Sequence, residues 1–419
     1  MDIGILFLII ASIIGIGFLG NYVFQKVKVP DILFLLLLGV LLGPILGIFE
    51  RELFVQITPY ISALALLMIL FDGGINLKVD KVIGEVPRGT LLAVIGFILS
   101  TAAVSIISFV FFEELNMIKS LLLGSIVGGV SSAIVIPVVS RLKEFGKSPR
   151  LILDIESVIT DPLCIIVALV LIDIISGGAG MGSLTGRGIT SVISTFSVSI
   201  VTGFVAGIVW LNVLRYIRGE DFHYMMTISF LFFIYATTQM FGGHGAVASF
   251  VSGIVLGNAK KMSDMLGLKK KYFGLTEKTK EFQSQISFFV KTFFFVILGI
   301  LITFENPVLF LYGGILSIVI ILTRYIAVQL ISIKSGFKSM EKWVMVFMSP
   351  RGLAAAVLAS APAIEYGIPG TEIFPEIVFS VILGTSVVTT LGTLYLENKM
   401  EGYQEDGNRK VEEVGFKGE

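Results

Sequence analysis

Cysteine is almost absent from this chain: Cys164 is the only one in 419 residues. A single thiol excludes an internal disulfide and any cysteine metal site. Histidine is nearly as scarce, with His223 and His244 alone, and neither has metal-ligating company in the sequence. Charge is sparse as well. Only 15% of the residues are charged, against roughly a quarter in an ordinary soluble domain, which argues against a soluble globular chain. No nucleophile–base pair stands out, so an enzyme is not expected and no cofactor is called for. The stretch from Ile3 lacks a basic leader and a cleavage site, and is read as a first spanning helix and not as a removed signal. A formal net charge of zero says nothing about partners, and no nucleic-acid partner is expected.

What is present is apolar. Hydrophobic residues make up 55% of the chain, with 34 phenylalanines and 45 glycines. They form repeated runs of about twenty residues, the length that spans a hydrocarbon core. The class is therefore an all-α polytopic membrane protein in contact with membrane lipids. Thirteen spans are expected, near 3–24, 31–49, 54–75, 88–112, 117–140, 150–175, 189–214, 222–241, 244–258, 283–304, 307–333, 342–364 and 373–397. With the N-terminus outside, 25 lysines and arginines fall on the cytoplasmic side and only Arg51, Lys119 and Arg187 fall outside. That split obeys the positive-inside rule. It predicts a multi-pass protein of the cell (plasma) membrane with a cytoplasmic C-terminus. The run Lys269-Lys270-Lys271 fits a positive-inside loop, with a contact to anionic lipid as the alternative.

Of the basic residues, only Lys291, Arg324 and Arg351 remain inside spans. An ionisable group in hydrocarbon costs several kcal/mol, so each one is a functional hypothesis by default. At a rise of about 1.5 Å per residue, Asp161 lies roughly 16 Å from the cytoplasmic surface, and Arg324 and Arg351 roughly 14–15 Å. Ser131 and Ser132 sit about ten residues before Arg141. The core's half-thickness is about 15 Å, so four segments bring polar groups to the midplane.

On the sixth segment, "DIESVITDP", Asp154, Ser157 and Asp161 stand at i, i+3 and i+7 and line one stripe. Glu156 and Thr160 share a neighbouring face. Glu156 needs a cation at this depth, and Arg324 and Arg351 are the arginines available. That leaves Asp161 as the titratable carboxylate, with Asp154 leading toward the cytoplasm. Two spans look interrupted: "GGVSSAIVIP" holds Gly, Ser and Pro137, and "MSPRGLAA" holds Pro350 and Gly352. Irregular backbone at that depth is tolerated only where it is buried or lines a cavity. The breaks at Ser131 and Ser349 fall in the fifth and twelfth segments, which defines two six-helix halves, the second inverted. Inverted repeats with broken helices crossing at the midplane mark secondary transporters.

"ESVITDP" resembles the sixth-helix signature of NhaP-type sodium/proton antiporters of the cation:proton antiporter-1 family. "SPRG" at 349–352, Arg324 in "ILTRYIAV", "LFDGG" at 70–74 and "KTFFFVILG" at 291–299 are similar to that family's motifs. The resemblance covers residues 1–398. It implies a homodimer with a core domain (about 88–175 and 307–397), a dimerisation domain (about 1–75 and 189–304) and a short cytoplasmic tail at 399–419. It also implies that Asp161 binds a transported monovalent cation or a proton in turn, with Ser157 beside it, and that Glu156 pairs with Arg324. Two positions depart from the family pattern. Thr160 replaces an asparagine, and "VSSA" at 130–133 replaces a "TDP", closer to the "SSTA" of Kef-like relatives.

The expected activity is electroneutral exchange of one monovalent cation for one proton by alternating access. Sodium is the first expectation, lithium and potassium the alternatives. Asp161 takes either ion, and Ser157, Thr160, Ser131 and Ser132 complete the coordination. Arg351 either neutralises the site or caps a broken helix by contacting carbonyls. Asp72 either caps its helix or coordinates an ion; Lys291 snorkels; His244 is a loop residue. The competing readings are a Kef-type potassium/proton antiporter and a sodium-coupled organic-solute carrier. A channel would need a continuous polar stripe, which these segments lack.

Overall fold

The computed structural model describes residues 31–49, 51–77, 87–142, 145–176, 186–216, 223–265, 277–302, 306–333 and 335–415, together with six isolated positions between 11 and 22. The predicted first span, near 3–24, and the Lys269-Lys270-Lys271 run lie outside these residues or almost so.

Backbone polar groups have no water to bond in a bilayer core, so an apolar chain of this kind folds as helices that satisfy their own N–H and C=O groups. Helix α1 (Asp31–Val40) ends in a wider π-type turn at Leu41–Ile45, around Pro44. There follow α2 (Arg51–Asn76), α3 (Pro87–Phe111), α4 (Met117–Ile126), α5 (Ser132–Arg141) and α6 (Lys147–Ser176). Next come α7 (Gly186–Tyr216), α8 (His223–Met240), α9 (Gly245–Gly257), α10 (Ala259–Met265) and α11 (Glu277–Leu301). The chain closes with α12 (Pro307–Ile331), α13 (Ser339–Phe347), α14 (Leu353–Ile364) and α15 (Phe374–Gly415). Among the described residues, six helices are long and apolar enough to cross a membrane by themselves, and six shorter apolar ones accompany them. The predicted fifth span is the pair α4–α5, and the twelfth is the pair α13–α14. The expected tail at 399–419 begins as a helical continuation of α15, which runs to Gly415.

The helices pack as two sets. In the first, α9 lies between α2 and α7, with α8 beside it, and α11 packs on α1 and α2. Small residues bring these backbones close, as they do where no hydrophobic effect drives helices together. A Cβ on Gly253 would sit 3.2 Å from the Cα of Gly74, and one on Gly39 would sit 2.8 Å from the Cα of Gly299. In the second set, α3 packs on α4, α6 and α12, α15 packs on α12, α13 and α14, and α5 packs on α6. The sets meet where α2 contacts α6 and α14, where α11 contacts α14, and where α6 contacts α7.

One face of the molecule gathers basic residues at helix ends. There Arg150 donates to the Leu142 carbonyl at 2.7 Å, Arg88 lies over the Phe337 ring, and Asn258 bonds the Leu77 carbonyl at 2.8 Å. This is the basic face. On the opposite face Lys119 donates to the Pro369 carbonyl at 2.6 Å, and His244 opens α9.

Candidate functional site

Both expected interruptions exist, and they touch. Gly128, Gly129, Ser131 and Ser132 favour non-helical backbone between α4 and α5. Pro350 lacks an N–H and pushes Ser349 toward extended geometry between α13 and α14. The Ser131 N–H donates to the Pro350 carbonyl at 2.9 Å, which ties one break to the other. Gly352 faces the Ser131 side chain so closely that no Cβ fits there without movement. The Arg351 N–H is satisfied by the Thr385 hydroxyl at 3.1 Å.

Helix α6 passes this crossing and presents Asp161. Ser132 donates twice to Asp161 Oδ2, through its N–H at 3.0 Å and through its hydroxyl at 2.6 Å. The N–H belongs to the first turn of α5, where the helix dipole favours a negative group. Oδ1 accepts no hydrogen bond among the described residues, and Asp161 pairs with no lysine, arginine or histidine among them. Asp161, Ser131, Ser132 and the first residues of α14 line a cavity of about 130 Å³. Its other wall is α2 and α11, which contribute Asp72, Asn76, Ser287 and Lys291. Asp72 and Asn76 belong to the last turns of α2, so the cavity leads from Asp161 toward the basic face. A space of this size holds several waters.

Glu156 points away from the cavity. It is 1% exposed and takes both terminal nitrogens of Arg324, Nη1 on Oε1 and Nη2 on Oε2, the second at 2.7 Å. Such a bidentate fork is the strong form of a carboxylate–guanidinium pair. Arg324 also donates from Nε to the Met345 carbonyl at 3.0 Å and from Nη2 to the Met348 carbonyl at 3.2 Å. It therefore caps the last turn of α13 at the break. Arg351, expected either to neutralise the site or to cap, bonds no carbonyl among the described residues. Its Nη2 reaches the Ser100 hydroxyl at 3.4 Å, Nε and Nη1 are buried without a partner among those residues, and its charge acts on Asp161 and Glu156.

The remaining expected residues divide. Thr160 is 1% exposed, and its hydroxyl accepts from the Val130 N–H at 3.0 Å and donates to the Val130 carbonyl at 3.2 Å. It clamps the break from behind and does not face the cavity. Ser157 is fully buried, its hydroxyl turned back on the Asp154 carbonyl at 3.2 Å. Val158, one position on, lines the cavity in its place. Asp154 is half-buried on the turn of α6 nearer the basic face. Asp72 is no helix cap: its Oδ2 accepts from Ser287 at 2.6 Å across to α11. Lys291, expected to snorkel, lines the same cavity. His244 is more than a loop residue, since its Nε2 lies 3.0 Å from Asp173 Oδ2. Asp173 and Ser287 were not singled out in the sequence. Asp173, a lone carboxylate late in a long apolar run, carried a signal that could have found it; Ser287 carried none. Among the described residues no group of three or more metal-ligating side chains gathers.

A carboxylate held by one serine at the crossing of two broken helices, over a cavity that leads toward one face, has the chemistry to hold a small cation or a proton. The family model for the transmembrane sodium/hydrogen exchanger matches residues 8–396. The chain belongs to the sodium/hydrogen exchanger family. Among proteins of this kind it is 28% identical over 393 residues to the K(+)/H(+) antiporter NhaP2 of Shewanella sp. (strain ANA-3), an alignment covering 91% of this chain and 64% of that protein. The chain thus spans just under two thirds of the length of that relative. It is 26% identical over 407 residues to the Na(+)/H(+) antiporter 1 of Methanocaldococcus jannaschii, covering 92% of this chain and 91% of that one. The structure of the sodium proton antiporter MjNhaP1 from the same organism, at pH 8, superimposes with a TM-score of 0.74 at 23% identity over 95% of this chain and 99% of that one. This chain shares that fold.

Proposed function

We propose that this exchanger swaps one monovalent cation, sodium in the first instance, for one proton, with Asp161 as the single group that carries either. The observation that carries the reading is the geometry at Asp161. Ser132 holds one carboxylate oxygen, and the other is left to a cavity with room for several waters that leads toward one face. An ionised carboxylate buried away from bulk water is costly unless a counter-ion or a proton neutralises it. Cation and proton therefore compete for the same oxygens. Around them Glu156 and Arg324 cancel each other, and among the described residues Arg351, Asp72 and Lys291 are the other charged groups beside the crossing and its cavity. The loaded site then carries the same charge with sodium as with a proton, which supports one-for-one, electroneutral exchange.

In this reading the set built on α3–α6 and α12–α15 moves as a core against the set built on α1, α2, α7–α9 and α11, which forms the contact of a homodimer. The basic face is cytoplasmic, and the membrane is the plasma membrane. A second reading, potassium/proton exchange, has a specific support: NhaP2 and the NhaP of Alkalimonas amylolytica are both named K(+)/H(+) antiporters. Ser132, a hydroxyl beside Asp161 in place of a second carboxylate, gives a weaker field that suits the larger, less strongly hydrated ion. Adding sodium, lithium and potassium in turn to acid-loaded everted vesicles, with a pH dye inside, ranks the three. Sodium giving the largest dequenching at equal concentration supports the first reading, and potassium doing so replaces it with the second.

A further inference from the structure

We infer that His244 and Asp173 form a proton-strengthened latch that closes the face opposite the basic one and holds this exchanger with Asp161 open to the basic face. The inference rests on the alternating-access reading above and adds a second, separate site to it. Asp173 lies three residues from the end of α6, in the same set as Asp161. His244 precedes α9, in the other set. The 3.0 Å contact between them bridges the two sets at the far end of the molecule from the cavity mouth.

The histidine is fixed on its own side before it reaches across. Its backbone N–H donates to the Ser199 hydroxyl of α7 at 2.7 Å, which anchors the main chain, and its ring packs edge-on against Phe196 at 5.5 Å. The ring can therefore follow a moving Asp173 only by giving up the Phe196 contact. The pair is also mostly out of water, with side chains 12% and 22% exposed. That separates it from surface ion pairs, whose contribution is close to nothing. Beneath it the sets close on a crevice of only about 30 Å³, against about 130 Å³ on the other side of Asp161. The space on this side is the narrower one, and the latch stands over it.

Histidine is the side chain whose charge ordinarily changes near neutral pH. A neutral ring gives Asp173 an ordinary hydrogen bond; a protonated ring gives a charge-assisted one, about twice as strong. The groups facing the pair through the same crevice are Tyr235 and Gln239 of α8, Ser62 of α2, and Glu365 and Tyr366 just past α14. Protons on this face thus tighten the latch and slow the opening that would admit a cation from that side.

The test uses full-length protein in right-side-out and everted vesicles, with sodium as the probe. His244→Ala and Asp173→Asn shift the ratio of apparent sodium KM between the two faces by roughly tenfold toward the latch face, the size of a charge-assisted bond. His244→Gln keeps a donor near the Nε2 position without the charge. It retains most of the wild-type ratio and loses the slowing caused by acid on the latch face. Asp173→Cys with His244→Cys, bridged by a short bis-methanethiosulfonate reagent whose two methanesulfinate groups leave as the disulfides form, stops exchange until reductant is added. The single variants, which like the wild type still carry Cys164, do not respond. Wild-type KM ratios and acid response in every variant, or continued exchange in the fully bridged protein, overturn the latch. Asp161→Asn, run alongside, fails separately: persistent exchange there sinks the carrier assignment whatever the latch variants do.

Discussion

Replacing Arg324 by leucine removes the only cation paired with Glu156 among the described residues and strips the Met345 and Met348 carbonyls of a donor. Breaking a buried pair from one side costs about 3–5 kcal/mol, because the remaining charge has neither water nor partner. Replacing both partners by apolar groups is often neutral. The double variant Glu156→Leu with Arg324→Leu therefore recovers most of the loss and retains only the cost of the two uncapped carbonyls, about 1–3 kcal/mol each where no water reaches them. At about 2 cal/mol/K of unfolding entropy per residue, the 419 residues give close to 1 °C per kcal/mol. The single variant should then melt about 3–5 °C lower than the wild type in detergent, plus whatever the carbonyls add. Thermal unfolding of the purified proteins, followed by intrinsic fluorescence, reads this directly. Sodium-driven proton movement in vesicles is measured on the same variants. A double variant that melts no higher than the worse single, or a folded double variant without exchange, refutes the separation of a structural pair from a transporting carboxylate.

Ser132→Ala removes the 2.6 Å hydroxyl bond to Asp161 but leaves the N–H; apparent sodium affinity in a vesicle titration should weaken roughly tenfold, as for one hydrogen bond to a charged group. Thr160→Val leaves the Val130 N–H and carbonyl without their side-chain partner. It should cost about 1–3 kcal/mol in thermal stability and leave the ranking of sodium, lithium and potassium unchanged. Gly352→Ala drives a methyl group into Ser131; exchange should collapse, and Ser131→Gly in the same chain should restore part of it, as scored in vesicles.

The charges that matter were legible because they are rare. In a chain with 15% charged residues, an acid or arginine counted to mid-depth stands out, and Glu156, Asp161, Arg324 and Arg351 were found that way. Interruption signals were equally plain: glycine and serine at 128–132 and proline and glycine at 349–352 break helices for local reasons. Helix rotation was not legible. Helix α6 carries polar residues on two neighbouring faces, so periodicity could not show that Val158 faces the cavity while Ser157 turns back on its own helix. Nor could it show that Thr160 faces the break. Contacts between distant segments were hidden for the same reason. Asp173 and His244 are 71 positions apart, and Asp72 and Ser287 are 215 apart. Local pattern carries no trace of which helix ends become neighbours. The division of labour between the arginines followed suit, since capping by Arg324 depends on where α13 stops.

The central claim is that Asp161 alone carries cation and proton in turn. Purified protein in liposomes with a trapped pH dye, the membrane potential clamped at zero by potassium and valinomycin, tests it with a sodium pulse. Wild type should move protons against the pulse at the same rate with and without the clamp. Asp161→Asn, folded and present in equal amount, should move none. Sodium-driven proton movement in the Asp161→Asn liposomes would contradict the account.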